Sequence, residues 1–322
     1  MDAAGIGSLN VDLIFEVDGS ELLDLRLRPG RETFGTPEDF SNLLDIIRTK
    51  GKMVSQSGGG SAANTMCALG KMGFRTGLLG MVGNDVYGDF IINGLEYIDT
   101  TKIRRANRTG LCISIISDGE RSLLVLPNAN DMYITAPCDL EYLRKFKLVH
   151  LTSFVGQRSM RAQMRIAKDL EPRILVSLDP GEIYAGKGLK VIKPLIGRAN
   201  IIFPSDHEVK MLTGTDPIKG AKKLLRMGPD IVVCTMGAQG AIIVTKDMTI
   251  EIPVVKTEVV DKTGAGDVFA AAMLAGILKG WELELCGNFA ALASARSIAD
   301  YGRDGYPDQQ LLESFEMEKG KC

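Results

Sequence analysis

From about residue 145 onward, short and uniformly apolar runs alternate with longer amphipathic stretches. Leu148-Val149-His150-Leu151 precedes a helical pattern over 160–170, and Ile174-Leu175-Val176-Ser177-Leu178 precedes another over 187–196. Ile201-Ile202-Phe203 leads into a helical 206–212, and Ile231-Val232-Val233-Cys234 follows a helical 221–227. A strand that is apolar on both faces has to be covered on both, and helix-length connections let neighbouring strands run parallel. The pattern predicts an α/β protein with a mostly parallel central sheet and crossover helices. Such sheets bind ligands at the carboxyl ends of their strands, where the loops gather.

Two stretches depart from this rhythm. Residues 11–55 are variable and charged, with Arg26-Leu27-Arg28-Pro29-Gly30-Arg31 in their midst. Residues 108–127 read as two β-runs, 111–117 and 122–126, joined by the turn-like Asp118-Gly119-Glu120-Arg121. Together they predict a small β-rich lid over the main sheet. With no Pro/Ser/Gly-rich linker between the regions, the expectation is a single domain over 1–322 with lid segments at about 11–55 and 108–127. After Gly280 the chain reads as helix over 282–299, loop over 302–307 and a terminal helix over 309–318.

Composition narrows the chemistry. The 322 residues are 45% hydrophobic and 24% charged with a net charge of −2, ordinary for a soluble globular protein. That balance points away from nucleic acid and from anionic membrane surfaces as partners. No window approaches the roughly 20 apolar residues of a membrane helix, so a cytoplasmic location is expected. The six cysteines are scattered without a Cys-x-x-Cys pair, and the two histidines, His150 and His207, are far apart. A zinc cluster is not expected, and the cysteines read as reduced core residues.

Any phosphate chemistry must therefore come from a local site, and one loop offers it. Asp261-Lys262-Thr263-Gly264-Ala265-Gly266-Asp267 leads into the strong helix former Val268-Phe269-Ala270-Ala271-Ala272-Met273-Leu274-Ala275. Small residues at a helix start leave its free N–H groups open to an anion, and the helix dipole favours negative charge there. A carboxylate in that first turn can take a proton from an attacking hydroxyl. The same dipole is expected to lower the pKa of Asp267. An Asp at a helix start is equally a common cap, so this loop alone leaves both readings open.

Further motifs decide between them. Gly5-Ile6-Gly7-Ser8-Leu9-Asn10-Val11-Asp12, Gly58-Gly59-Gly60-Ser61-Ala62-Ala63-Asn64, Leu79-Gly80-Met81-Val82-Gly83-Asn84-Asp85, Asp179-Pro180 and Thr235-Met236-Gly237-Ala238-Gln239-Gly240 precede the loop in order. With it they resemble, over roughly residues 4–305, the PfkB/ribokinase family of carbohydrate and nucleoside kinases. The resemblance implies a ribokinase-like three-layer α/β/α fold and transfer of the γ-phosphoryl group of ATP to a hydroxyl of a sugar or nucleoside. It implies Asp267 as base and Gly264, Ala265 and Gly266 as anion hole. Asn10, Asp12, Gly60 and Asn64 become substrate contacts, and Thr235, Gly237, Gly240, Asn288 and Ala291 nucleotide contacts. Glu208 would organise Mg²⁺ through water, while Asp261 and Thr263 lie where many members bind a monovalent cation such as K⁺.

The family commonly carries Asn-x-x-Glu where this chain has Ser205-Asp206-His207-Glu208, so the amide is replaced while Glu208 is kept. His207 reads as a solvated residue at a helix start. The long segment between Asp12 and Gly58 and the Gly59-Gly60-Ser61 turn are similar to the adenosine-kinase-like branch. There the residue matching Arg121 reaches the phosphates. No aromatic pair to sandwich a purine is evident; Phe15, Phe34, Phe40 and Phe154 are candidates. Members of the family occur as monomers and as dimers through the lid. Two other classes are weighed. A dinucleotide-dependent oxidoreductase fails because Asn10 stands where the third fingerprint glycine is required, and no Walker A sequence is present. A catalytically weak, sugar-binding regulator is the remaining alternative, favoured by Ser205 and opposed by Asp267.

Overall fold

The computed structural model describes residues 1–17, 32–117 and 120–319. Among these, fourteen strands form two sheets. The strands are β1 (Ala3–Ile6), β2 (Asn10–Glu16), β3 (Glu32–Phe34), β4 (Lys52–Gly59), β5 (Thr76–Val82), β6 (Ile98–Arg105) and β7 (Gly110–Ser117). They continue with β8 (Glu120–Leu126), β9 (Leu148–Leu151), β10 (Leu175–Leu178), β11 (Ile201–Ile202), β12 (Ile231–Thr235), β13 (Ala241–Val244) and β14 (Thr249–Ile252).

The large sheet has the order β14-β13-β12-β11-β10-β9-β1-β5-β6. It is parallel from β12 through β6, and β13 and β14 close one edge antiparallel. The residues of β1, β5 and β9 are buried throughout, as a sheet covered on both faces requires. One face packs on the helices Ser61–Lys71, Ala265–Lys279 and Leu283–Ser297, which bring Met66, Val268, Ala272 and Phe289 into its core. The other packs on Gln157–Asp169, Leu189–Arg198 and Pro217–Leu225 through Ile166, Leu195 and Leu224. The large sheet is thus the middle of three layers, α/β/α, as expected. Among the described residues, no helix is long and apolar enough to cross a membrane.

The small sheet has the order β3-β8-β7-β2-β4, with β7 and β8 antiparallel neighbours as the pattern of 111–126 predicts. Its strands fall in the two stretches that break the main rhythm. One of those stretches also holds a helix, Ser41–Lys50, whose Leu43, Leu44 and Ile47 are buried in one core with Val11, Leu13, Ile113 and Leu124 of the sheet. A purely β reading of 11–55 misses it: an i, i+1, i+4 apolar spacing is a helical face, which the surrounding charged residues obscure.

Residues 253–260 form no strand: Val259 and Val260 are exposed and follow an irregular segment after β14. Short valine runs satisfy a strand pattern without supplying a pairing partner.

What positions the site is the passage from one sheet to the other. The chain leaves the large sheet at Ile6 and enters the small sheet at Asn10, after three residues. The carboxyl ends of the parallel strands and the start of β2 therefore lie together.

Candidate functional site

Strand periodicity puts Asn10 and Asp12 on one side of β2, opposite the buried Val11 and Leu13. The Asp12 carboxylate packs directly on the Gly59 α-carbon of the neighbouring β4. Gly60 then turns the chain into the helix Ser61–Lys71 with φ 108° and ψ 121°, so close to the Ser8 carbonyl that no side chain fits. Asn64, in the first turn of that helix, is 7% exposed.

Gly264 caps the helix Ala265–Lys279 in a left-handed conformation (φ 77°), and a β-carbon there would lie 2.9 Å from the Tyr306 hydroxyl. Ala265 donates its amide to the Lys262 carbonyl at 3.3 Å. The amides of Gly266 and Asp267 lie in the first turn, where helix geometry provides no partner. A β-carbon on Gly266 would meet nothing within 4 Å, so this face of the turn is open.

Asp267 itself is buried. Its Oδ2 accepts the Asn64 Nδ2–H at 2.8 Å, and its backbone carbonyl accepts the Thr65 hydroxyl at 3.3 Å. Burial raises its pKa above the usual carboxylate value, opposed by the Asn64 and Ser61 hydrogen bonds and the Arg303 charge. The lowering expected from the helix dipole alone is thus overturned: removing a carboxylate from water outweighs a field that acts only near the helix end.

Along the same strand ends sit two more carboxylates. Asp179, just after β10, accepts the Gly181 amide at 3.0 Å. Burial and the neighbouring Glu208 and Asp267 carboxylates push its pKa well up. Glu208 lies in the first turn of the helix Asp206–Thr213 and forms a capping box with Ser205. Glu208 Oε2 accepts the Ser205 amide at 3.0 Å, and the Ser205 hydroxyl accepts the Glu208 amide at 3.3 Å. Burial raises the Glu208 pKa against those bonds. Ser205 also bridges to Thr235 at the end of β12, whose amide donates to the Pro204 carbonyl at 3.1 Å.

Gly237 and Gly240 flank the tight turn from β12 into β13, closed by the Met236 amide on the Gly240 carbonyl at 2.8 Å. Asn288 is half-buried and Ala291 buried on the helix Leu283–Ser297, which packs against β13 and β14. Asp261 accepts the Thr263 amide at 2.9 Å and the Gly302 amide at 3.4 Å. His207 is exposed at its helix start. Arg121 belongs to β8 by its backbone, and its side chain lies outside the described residues.

A family model described as pfkB family carbohydrate kinase matches residues 39–308. The chain belongs to the PfkB family. An uncharacterized sugar kinase of Archaeoglobus fulgidus is 34% identical over 247 residues, covering 74% of this chain and 98% of that protein. The adenosine kinase structure from Sinorhizobium meliloti superposes with a TM-score of 0.82 at 22% identity, covering 98% of this chain and 99% of its own. The structure of Arabidopsis thaliana ribokinase complexed with ribose and ATP gives 0.79 at 22% identity, covering 98% of each chain. This protein is accordingly a phosphotransferase of the sugar and nucleoside kinase class.

Within this PfkB-family kinase the fold brings Asn64 and Asp267 into contact and sets Asn10 and Asp12 on the adjoining strand. The nucleotide candidates Thr235, Gly237 and Gly240 lie farther along the sheet. Three residues of the neighbourhood escape sequence reasoning. Arg303 donates from Nε and Nη2 to Asn64 Oδ1 at 3.3 and 3.1 Å. Tyr306, 3% exposed, puts its hydroxyl against Gly264. Asn130, fully buried, holds the Leu9 backbone and Asn10. The signal in the sequence was the polar content of the 302–307 loop and of residues 128–132, where nothing local names a partner.

Proposed function

We propose that this kinase transfers the γ-phosphoryl group of ATP to a hydroxyl, expected to be a hydroxymethyl, of a sugar or nucleoside, with Asp267 as general base. The observation that carries this reading is the buried Asp267 carboxylate in the first turn of its helix, beside the open Gly266 face and hydrogen-bonded to Asn64. The acceptor O–H gives its proton to Asp267, the new O–P bond forms, and the bond from the γ-phosphorus to the bridging oxygen breaks to release ADP. Asn10, Asp12, Gly60 and Asn64 hold the acceptor so that one hydroxyl faces the donor phosphate. The backbone of Gly264, Ala265 and Gly266 takes the developing charge, the Ala265 amide by exchanging its bond to the Lys262 carbonyl for the phosphate. Thr235, Gly237, Gly240, Asn288 and Ala291 hold the nucleotide.

For Mg²⁺ the donor set fits an ion held through water. Among the described residues, no three acidic, Cys or His side chains form a direct metal cage. Glu208 nevertheless adds negative charge beside the buried Asp179 carboxylate, and Mg²⁺ commonly keeps several of its waters. Glu208 and Asp179 are the residues to orient those waters, and the ion would offset phosphate charge. Asp261 and Thr263 are the residues for a monovalent cation, although the Asp261 carboxylate already accepts two backbone amides.

The test is ADP production from ATP and Mg²⁺ against ribose, fructose, 2-keto-sugars, adenosine, inosine and cytidine, with K⁺ present and absent. Turnover with at least one acceptor is expected, while nucleotide binding with no turnover across the panel would favour the regulatory alternative. Arg121→Ala is expected to slow turnover with little change in acceptor affinity; unchanged kinetics would make Arg121 a surface charge only.

A further inference from the structure

The Asn64 side chain is held from two sides by groups more than 200 residues away in sequence, Asp267 and Arg303. A guanidinium can only donate, so the Asn64 oxygen must face Arg303 and its amide N–H must face Asp267. Flipping the amide would set donor against donor and oxygen against carboxylate. Arg303 is itself anchored. Its Nη1 donates to the Gly94 carbonyl at 3.3 Å, and its own carbonyl accepts Lys71 Nζ at 2.8 Å from the far end of the Asn64 helix. Among the described residues, no carboxylate lies at ion-pair distance from Arg303, so its charge is not neutralised by a direct partner.

We propose that Arg303 is a positioning residue for phosphoryl transfer, acting through Asn64 to fix the orientation of the Asp267 carboxylate and to place positive charge behind it. The inference rests on the proposed role of Asp267 as base. Its physical content is twofold. Orientation commits Oδ2 to the Asn64 amide and holds the carboxylate in one pose toward an incoming hydroxyl. Charge counters the desolvation that raises the Asp267 pKa. The titratable and charged groups around this arrangement are Arg303 and Tyr306 from the 301–307 loop and Asp179 from the end of β10; Asp12 and Cys67 face Tyr306.

The experiment compares the pH dependence of kcat and KM in the parent, Arg303→Met, Arg303→Lys, Asn64→Ala and the Asn64→Ala/Arg303→Met pair, on the best acceptor of the panel. With circular dichroism and the ATP-induced Tm shift retained, Arg303→Met is expected to lower kcat about 100-fold. Its acid limb should move up by about one pH unit, since an adjacent cation favours the charged carboxylate. Acceptor KM should change only a few-fold. In the Asn64→Ala background, Arg303→Met should cost much less in kcat, because orientation passes through Asn64, while the acid-limb shift, which acts through space, should persist. Arg303→Lys keeps the charge without the fork, so its acid limb should stay near the parent's while kcat falls about 10-fold; this variant carries the test if Arg303→Met does not fold. A parent-like pH profile and kcat in Arg303→Met, a full loss in the Asn64→Ala background, or parent kcat in Arg303→Lys would overturn the proposal. An active Asp267→Asn would instead remove the base assignment beneath it, so the two failures are distinguishable.

Discussion

At the scale of single residues, the base role proposed for Asp267 ties the pH behaviour to the pKa of that carboxylate. A base acts deprotonated, and burial lifts this carboxylate above its ordinary value, so activity should be lost on the acid side at a higher pH than a solvated Asp would give. Asp267→Asn preserves shape and the Asn64 contact while removing the proton acceptor. It is expected to lower kcat by about 10²–10⁴-fold with the ATP-induced Tm shift intact, and parent-like turnover would dismiss the base. Ser205 shows how one substitution changes a residue's work. As a helix cap it reciprocates with Glu208, so Ser205→Ala should cost about 1 kcal/mol of stability in denaturant unfolding. Ser205→Asn keeps the cap and is expected to tighten the Mg²⁺ dependence of the rate; an unchanged Mg²⁺ titration would make the missing amide irrelevant.

At the scale of elements, two glycines of one turn separate folding from chemistry. Gly264 has positive φ and lies against Tyr306, so Gly264→Ala should lose about 1–2 kcal/mol from backbone conformation alone. Gly266 lies in the helix with open space before it. Gly266→Ala is expected to leave Tm equal or slightly higher while kcat falls, because a methyl then occupies the proposed phosphate face. Equal kinetics in Gly266→Ala would move the anion site elsewhere. The legibility of these elements follows from the same physics. Runs such as Leu148–Leu151 and Ile231–Thr235 announced themselves because buried parallel strands must be apolar on both faces. The Gly264–Asp267 turn was legible because its glycines and its acid are adjacent in sequence. Arg303 was not: it meets Asn64 across 239 positions, and nothing local distinguishes a loop arginine that grips an amide from one in water. The Ser41–Lys50 helix was lost for a different reason, an apolar face too narrow to stand out among charges.

At the scale of the whole molecule, the two sheets meet in the three residues between β1 and β2, and Asn130 staples that passage. Its Oδ1 accepts the Leu9 amide at 2.8 Å, and its Nδ2 donates to the Leu9 carbonyl at 3.0 Å and to Asn10 Oδ1 at 2.9 Å. Ser159 donates its hydroxyl to the Asn130 carbonyl at 2.7 Å, tying the staple to the helix Gln157–Asp169 of the main body. A buried amide that loses its acceptor bears the full cost of its desolvation, so Asn130→Ala should lose on the order of 2–4 kcal/mol in equilibrium unfolding. The kinetic consequence should be unequal. Asn10 loses the bond that orients it on the small sheet, whereas the turn at Gly237–Gln239 belongs to the far end of the large sheet. Acceptor KM should therefore rise several-fold while the KM for ATP stays within two-fold, read from initial rates with each substrate varied in turn. Asn130→Asp retains an acceptor for Leu9 but sets a buried carboxylate oxygen against the Leu9 carbonyl and Asn10 Oδ1, and should be no more stable than Asn130→Ala. If both KM values rose together, the staple would serve the fold as a whole, and the orientation of Asn10 would have to be traced to the β2–β4 pairing instead.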